Sequence, residues 1–201
     1  MQKPLFATLL GLTLLAQAAL ADSTIVILRH GEKPAAGLGQ LNCQGLNRAL
    51  ALPPLLLQRF GKPDRLFAPN PSIQKADHGV PYAYIRPLAT IEPLAIQVGM
   101  PVDVSWAMTD TDGLAGKLLQ PSQGLQVVAW EHHLAVQLAK QLLDKAGGKP
   151  DAVPAWANDD FDSLYVISVS EDDKGQRSAR FRIEAQGLNQ QSPTCPGPAS
   201  P

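Results

Sequence analysis

Ile25-Val26-Ile27-Leu28-Arg29-His30-Gly31-Glu32-Lys33-Pro34 is the stretch on which the fold turns. It opens with four apolar, mostly β-branched residues and no polar alternation, the pattern of a short strand buried on both faces. Arg29, His30 and Gly31 follow at its carboxyl end, which in an open α/β sheet is the edge where ligands bind. A guanidinium and an imidazole at that edge suit a phosphate. Arg offers a planar fork of donors to an oxyanion, and a neutral imidazole nitrogen is a nucleophile toward phosphorus. Gly31 lets the backbone turn sharply and approach a ligand closely. Taken alone, the ten residues also fit an ordinary buried strand with a polar turn, so the remainder of the chain has to decide.

Before this stretch, Met1 to Ala21 carry Lys3, an apolar run from Leu5 to Leu15, and Ala19-Leu20-Ala21 ahead of Asp22. This is the pattern of a secretory signal, residues 1–21. A membrane anchor is the competing reading, but the apolar core falls well short of the ~20 residues a span needs and no basic cluster follows it. Removal would leave roughly 180 residues, enough for one domain with a real core. The hydrophobic fraction of 45% fits a globular body, and a net charge of -1 provides no field to draw nucleic acid or an anionic membrane. A charged substrate must therefore be met locally.

After the opening strand, Ala35 to Gln40 is a Gly-containing loop at the rim of the candidate site. Asn42 is placed to cap a helix carrying Leu46, Ala49, Leu50, Leu52 and Leu55 to Leu57, with a kink or a second short helix expected at Pro53-Pro54. Arg65 to Ala68 predict a second strand, and 72–83 an irregular loop holding Lys75, His78 and Tyr82. A helix then begins close to Arg86. A cation in a first turn opposes the helix dipole, a conflict that an anion shared between Arg86 and the helix N-terminus resolves; a surface Arg is the other reading. Val102 to Val104 form a candidate edge strand. Asp110 and Asp112 precede the helical pattern of Leu114 to Leu119, where either serves equally as a cap.

Gln126 to Trp130 make another buried-strand run, and Glu131-His132-His133 follow it before a helix over 134–145. Once more a strand hands an imidazole to the carboxyl edge. Adjacent histidines also suit a metal, yet neighbours at a turn point apart and no Cys or His is spaced for a structural zinc. Ser163 to Ser170 and Ala179 to Ala185 predict a β-hairpin, and 189–201 a Pro- and Ser-rich flexible tail. The chain has two cysteines, Cys43 and Cys195. In an oxidising compartment their even count favours a disulfide tying that tail to the first helix.

Arg29-His30-Gly31-Glu32, the Arg86 segment with Thr90 four residues on, and the His132 segment occur in an order that resembles the histidine phosphatase superfamily, in its smaller, phosphoglycerate mutase-like branch. The resemblance spans Thr24 to Leu188, and together with the expected leader it points to an exported bacterial member, periplasmic or secreted. It implies a single α/β sandwich over 22–188 with a mostly parallel sheet and helices on both faces. It also implies a metal-independent phosphatase without a cofactor, acting on a small phosphorylated substrate. His30 would be the nucleophile that becomes a phosphohistidine, with Arg29, Arg86 and His132 forming the phosphate pocket and Glu32 and Glu131 supporting it. Many members of the branch carry a general acid, commonly Glu, where this chain offers only Asp110 and Asp112. A phosphomutase and a non-catalytic phospho-ligand module remain as alternatives.

Overall fold

The computed structural model describes residues 23–121 and 124–197. The expected leader, 1–21, lies outside the described residues, as do the last four residues of the tail. The core is a six-stranded sheet in the order β5-β2-β6-β1-β7-β8, built from β1 (Ser23–Arg29), β2 (Arg65–Phe67), β5 (Val102–Asp103), β6 (Gly124–Trp130), β7 (Ser163–Glu171) and β8 (Arg177–Ala185). A separate hairpin joins β3 (Gln74–Asp77) to β4 (Val80–Ala83). Four strands, β5, β2, β6 and β1, run parallel, and β7 and β8 extend the sheet antiparallel.

Alternate residues of β1 enter opposite cores, which is why its apolar run shows no polar alternation. Ile25 and Ile27 pack with Leu114 of α3 (Thr111–Leu118) and with Leu138 and Leu142 of α4 (His132–Lys145). Val26 and Leu28 pack with Leu52 and Leu56 of α1 (Cys43–Phe60) and with Ile91 and Leu94 of α2 (Arg86–Val98). The result is the α/β sandwich with helices on both faces expected from the sequence. Among the described residues no helix is long and apolar enough to cross a membrane.

Two elements differ from expectation. Asn42 caps α1 through a 2.8 Å bond from the Gly45 amide to its side chain, but the helix continues past Pro53 and Pro54 as one element. Burial of Leu52, Pro53 and Leu56 outweighs the amide donors that the two prolines withhold. Residues 72–83 are not irregular either. His78 and Gly79 have φ of 51° and 83°, so the β3–β4 turn has the two left-handed residues that a tight hairpin requires.

Candidate active site

The parallel strands bring their carboxyl ends to one edge. β1 and β6 are in register at Arg29 and Trp130, and the His30 amide donates to Trp130 O at 3.1 Å, so the next residues, His30 and Glu131, leave the sheet side by side. Beside them stands the start of α2, whose first residue is Arg86. Thr90, one turn on, links the two elements: its hydroxyl donates to Arg86 O at 2.8 Å and accepts the Gly31 amide at 2.9 Å. The space next to Gly31 is filled by protein, because a Cβ there would lie 2.8 Å from Gly45 O and 2.9 Å from Gly45 Cα.

His30 is almost fully buried, and its Nδ1 lies 2.7 Å from Gly31 O. A carbonyl only accepts, so Nδ1 carries the proton and Nε2 keeps its lone pair. Burial drives the His30 pKa down to about 3, and Arg86 and Arg29 push it the same way against the Gly31 bond. The ring is therefore neutral at pH 7. Tyr84 meets it edge-on with centroids 6.0 Å apart, and Phe161 lies 6.2 Å away.

Each arginine lies over one of these two rings, Arg29 Cζ 3.8 Å from the Phe161 centroid and Arg86 Cζ 4.7 Å from that of Tyr84. Arg29 Nη1 donates to the carbonyls of Asn158 and Asp160, both at 2.8 Å. Arg86 is gripped from two sides: Nη1 donates to Asp77 Oδ2 at 2.6 Å and Nη2 to Asp77 Oδ1 at 3.2 Å. That hydrogen bonding holds the Asp77 carboxyl at about 2 against the opposing effect of burial. The Nε atoms of Arg29 and Arg86 are both buried with no hydrogen-bond partner among the described residues.

Glu131 caps α4, accepting the Leu134 amide at 3.0 Å. Burial alone would raise its pKa, but the His132 ring, the Leu134 amide and Lys75 outweigh burial and hold it at about 2. Lys75, on the β3–β4 hairpin, comes within 4.0 Å of Glu131 Oε1 and within 5.0 Å of the Tyr84 centroid. His132 Nε2 lies 2.8 Å from Asn158 Oδ1. Its Nδ1 is 2.8 Å from Glu131 Oε1, a close contact whose direction is poor for a hydrogen bond. Glu131, His132 and the exposed His133 bring potential metal-ligating atoms within 4.8 Å of one another.

Arg29, His30, Arg86, Glu131 and His132 thus gather at one edge, and three other candidates are engaged elsewhere. Glu32 takes three bonds from the buried Arg48, whose Nη1 also reaches Asp162 at 3.3 Å. Asp110 caps α3 through the Gly113 amide. Asp112 is largely exposed and pairs with Lys145 at 2.9 Å. Cys43 and Cys195 are joined as a disulfide. Tyr84, Asp77, Asn158 and Phe161 escaped the sequence reading; the one local signal was a turn ending the loop before each arginine-bearing or strand segment, His78-Gly79 and Asn158-Asp159.

No family model matches the sequence, and no curated protein matches it significantly. Solved structures do match. Against the protein histidine phosphatase SixA complexed with tungstate the TM-score is 0.53 at 17% identity, over 81% of this chain and 97% of that one. Against a SixA phosphohistidine phosphatase from Nakamurella multipartitia it is 0.51 at 15% identity, over 81% and 95%. Against a phosphoglycerate mutase from Plasmodium falciparum it is 0.51 at 13% identity, over 83% and 92%. Sheet order, helix placement and these superpositions agree: the chain has the fold of the histidine phosphatase superfamily.

Proposed function

We propose that the protein is a phosphomonoester hydrolase acting through a phosphohistidine on His30. The observation that carries this reading is a neutral, buried imidazole with Nε2 free, set between two arginines whose Nε donors are buried and unpartnered. Buried donors without partners are rare and need an explanation, and a tetrahedral oxyanion supplies one. The tungstate held by one structural neighbour is an oxyanion of that shape.

In the first step His30 Nε2 bonds to phosphorus as the ester P–O bond breaks. In the second, water displaces the imidazole and releases phosphate. Arg29 and Arg86 meet the equatorial oxygens through Nε, and the arrangement is fixed before reaction by Asp77 and by the carbonyls around Arg29. His132 Nε2 exchanges the exposed Asn158 for a phosphoryl oxygen. Glu131 holds His132 and closes the charge balance. Fixed cations do the work assigned elsewhere to a metal, so activity is expected to survive EDTA. The disulfide supports function in an oxidising, exported compartment.

His30→Ala is expected to abolish both hydrolysis of p-nitrophenyl phosphate and acid-labile labelling by radioactive substrate. Turnover by a folded His30→Ala protein would sink the reading. Binding of vanadate by the wild type without any turnover would favour a phospho-ligand module instead.

A further inference from the structure

Resting on the phosphatase reading, we propose that the Tyr84 hydroxyl is the proton donor to the leaving oxygen, since Asp110 is engaged in capping α3 and Asp112 in pairing with Lys145. Tyr84 is 1% exposed, and its Oη, close enough to Arg86 to feel it as a hydrogen-bonding neighbour, meets no partner at hydrogen-bond geometry among the described residues. Leaving a hydroxyl dry and unpaired is unfavourable, so a phenol in that state beside a reactive imidazole needs a reason. Its ring stands beside three groups of the candidate site: His30 edge-on with centroids 6.0 Å apart, Arg86 Cζ at 4.7 Å and Lys75 Nζ at 5.0 Å from the centroid. Burial is the largest influence on the Tyr84 hydroxyl, and Arg86, Glu131 and Arg29 all lie within electrostatic reach of it.

The other carboxylates near the site are unsuited to the task. Glu131 is held ionised at about 2 and Asp77 likewise, so neither carries a proton to give. Burial raises the Tyr84 pKa, which keeps its proton in place at neutral pH.

The step balances. As His30 Nε2 bonds to phosphorus and the P–O bond breaks, the Tyr84 proton passes to the leaving alkoxide. The resulting phenolate lies beside Arg86, which stabilises it. As water attacks the phosphohistidine and the P–N bond breaks, a water proton returns to Tyr84. Phosphate and the neutral His30 are restored together.

The test compares Tyr84→Phe with wild type on two substrates, p-nitrophenyl phosphate, whose leaving group departs without a proton, and glycerol 2-phosphate, whose alkoxide needs one. Loss of kcat/KM on glycerol 2-phosphate is expected to exceed the loss on p-nitrophenyl phosphate by about 100-fold, the usual worth of general acid catalysis. Equal losses on both substrates, or none on either, overturn the proposal. A second measurement needs no variant: across a series of alkyl and aryl phosphates, wild-type kcat/KM is expected to vary little with leaving-group basicity. A steep dependence overturns the assignment even if Tyr84→Phe does not fold. Wild type that turns over neither substrate and takes no label on His30 overturns the phosphatase reading itself, and this proposal with it; an active, labelled wild type with an unselective Tyr84→Phe defeats this proposal alone.

Discussion

At the scale of single residues the site works by withholding solvent. His30 has a backbone carbonyl for Nδ1, two aromatic rings for walls and two guanidiniums for neighbours, and burial leads the effects that favour its uncharged form. The consequence for pH has a definite sign. The ordinary imidazole pKa near 6.5 applies to the unfolded chain, and the folded value is about 3. Between the two, the unfolded chain takes up a proton that the folded protein refuses. Stability from this group is complete above pH 6.5 and is lost as pH falls toward 3, with a slope of up to about 1.4 kcal/mol per pH unit. Asp77 and Glu131, both held at about 2, lose their contributions in the same direction at still lower pH. By NMR, the His30 Cε1–H resonance is expected to stay put as pH is lowered from about 8 to about 5. A His30 midpoint near the ordinary imidazole value would show that the ring is wet and the neutral nucleophile unsupported.

Elements set the distances. β1 can deliver His30 only because α1 begins against it, with Gly31 and Gly45 in backbone contact. Gly31→Ala would place a methyl 2.8 Å from Gly45 O, and no side-chain rotation relieves a clash with backbone. Its cost is expected to be about 2–3 kcal/mol, read as a lower urea midpoint at unchanged m. An unchanged midpoint would mean that the contact gives freely and that Gly31 is not what fixes His30. The same contact shows what sequence can reveal. A glycine after the motif was legible, but whether substrate or α1 fills the space beside it was a matter of packing. The strand and helix order was readable because parallel strands buried on both faces give unbroken apolar runs, and because Asn42 and Glu131 stand where caps are needed. The β3–β4 hairpin was not readable. Gln74, Lys75 and Asp77 present polar side chains without an apolar face, and only the His78-Gly79 turn hinted at pairing. With the hairpin went Asp77 and Lys75 as site residues, and Tyr84 just beyond it. Arg29, His30, Arg86 and His132 could be picked out because each ends a strand or opens a helix, a position that carries meaning before any contact is known.

Across the whole molecule, the sheet whose edge gathers the candidate site carries one core on each face, and the carboxyl-terminal segment is tied to α1. Over 189–197 that segment has no regular structure, yet α1 fastens it at several points, Arg48 Nη2 donating to Asn189 Oδ1 at 3.3 Å among them. Asn47 Nδ2 donates to Ser192 O and Thr194 O at 2.8 and 2.7 Å, and the Cys43–Cys195 disulfide closes a loop with a sequence separation of 152. In the chain-entropy account the bond contributes by restricting the unfolded chain. The chain-entropy model puts that contribution at about 5 kcal/mol for a loop of this length, an upper value because the unfolded chain keeps residual structure. Replacing both cysteines by serine is expected to lower the melting temperature by roughly 10 °C or more, at about 2–4 °C per kcal/mol for a domain of this size. The denaturant m value separates the two possible causes. If the bond acts on the unfolded state, its loss lets that state expand and m rises. If it acts by holding the tail in place on the folded protein, stability falls while m stays constant, and the tail, rather than the loop it closes, is what α1 depends on.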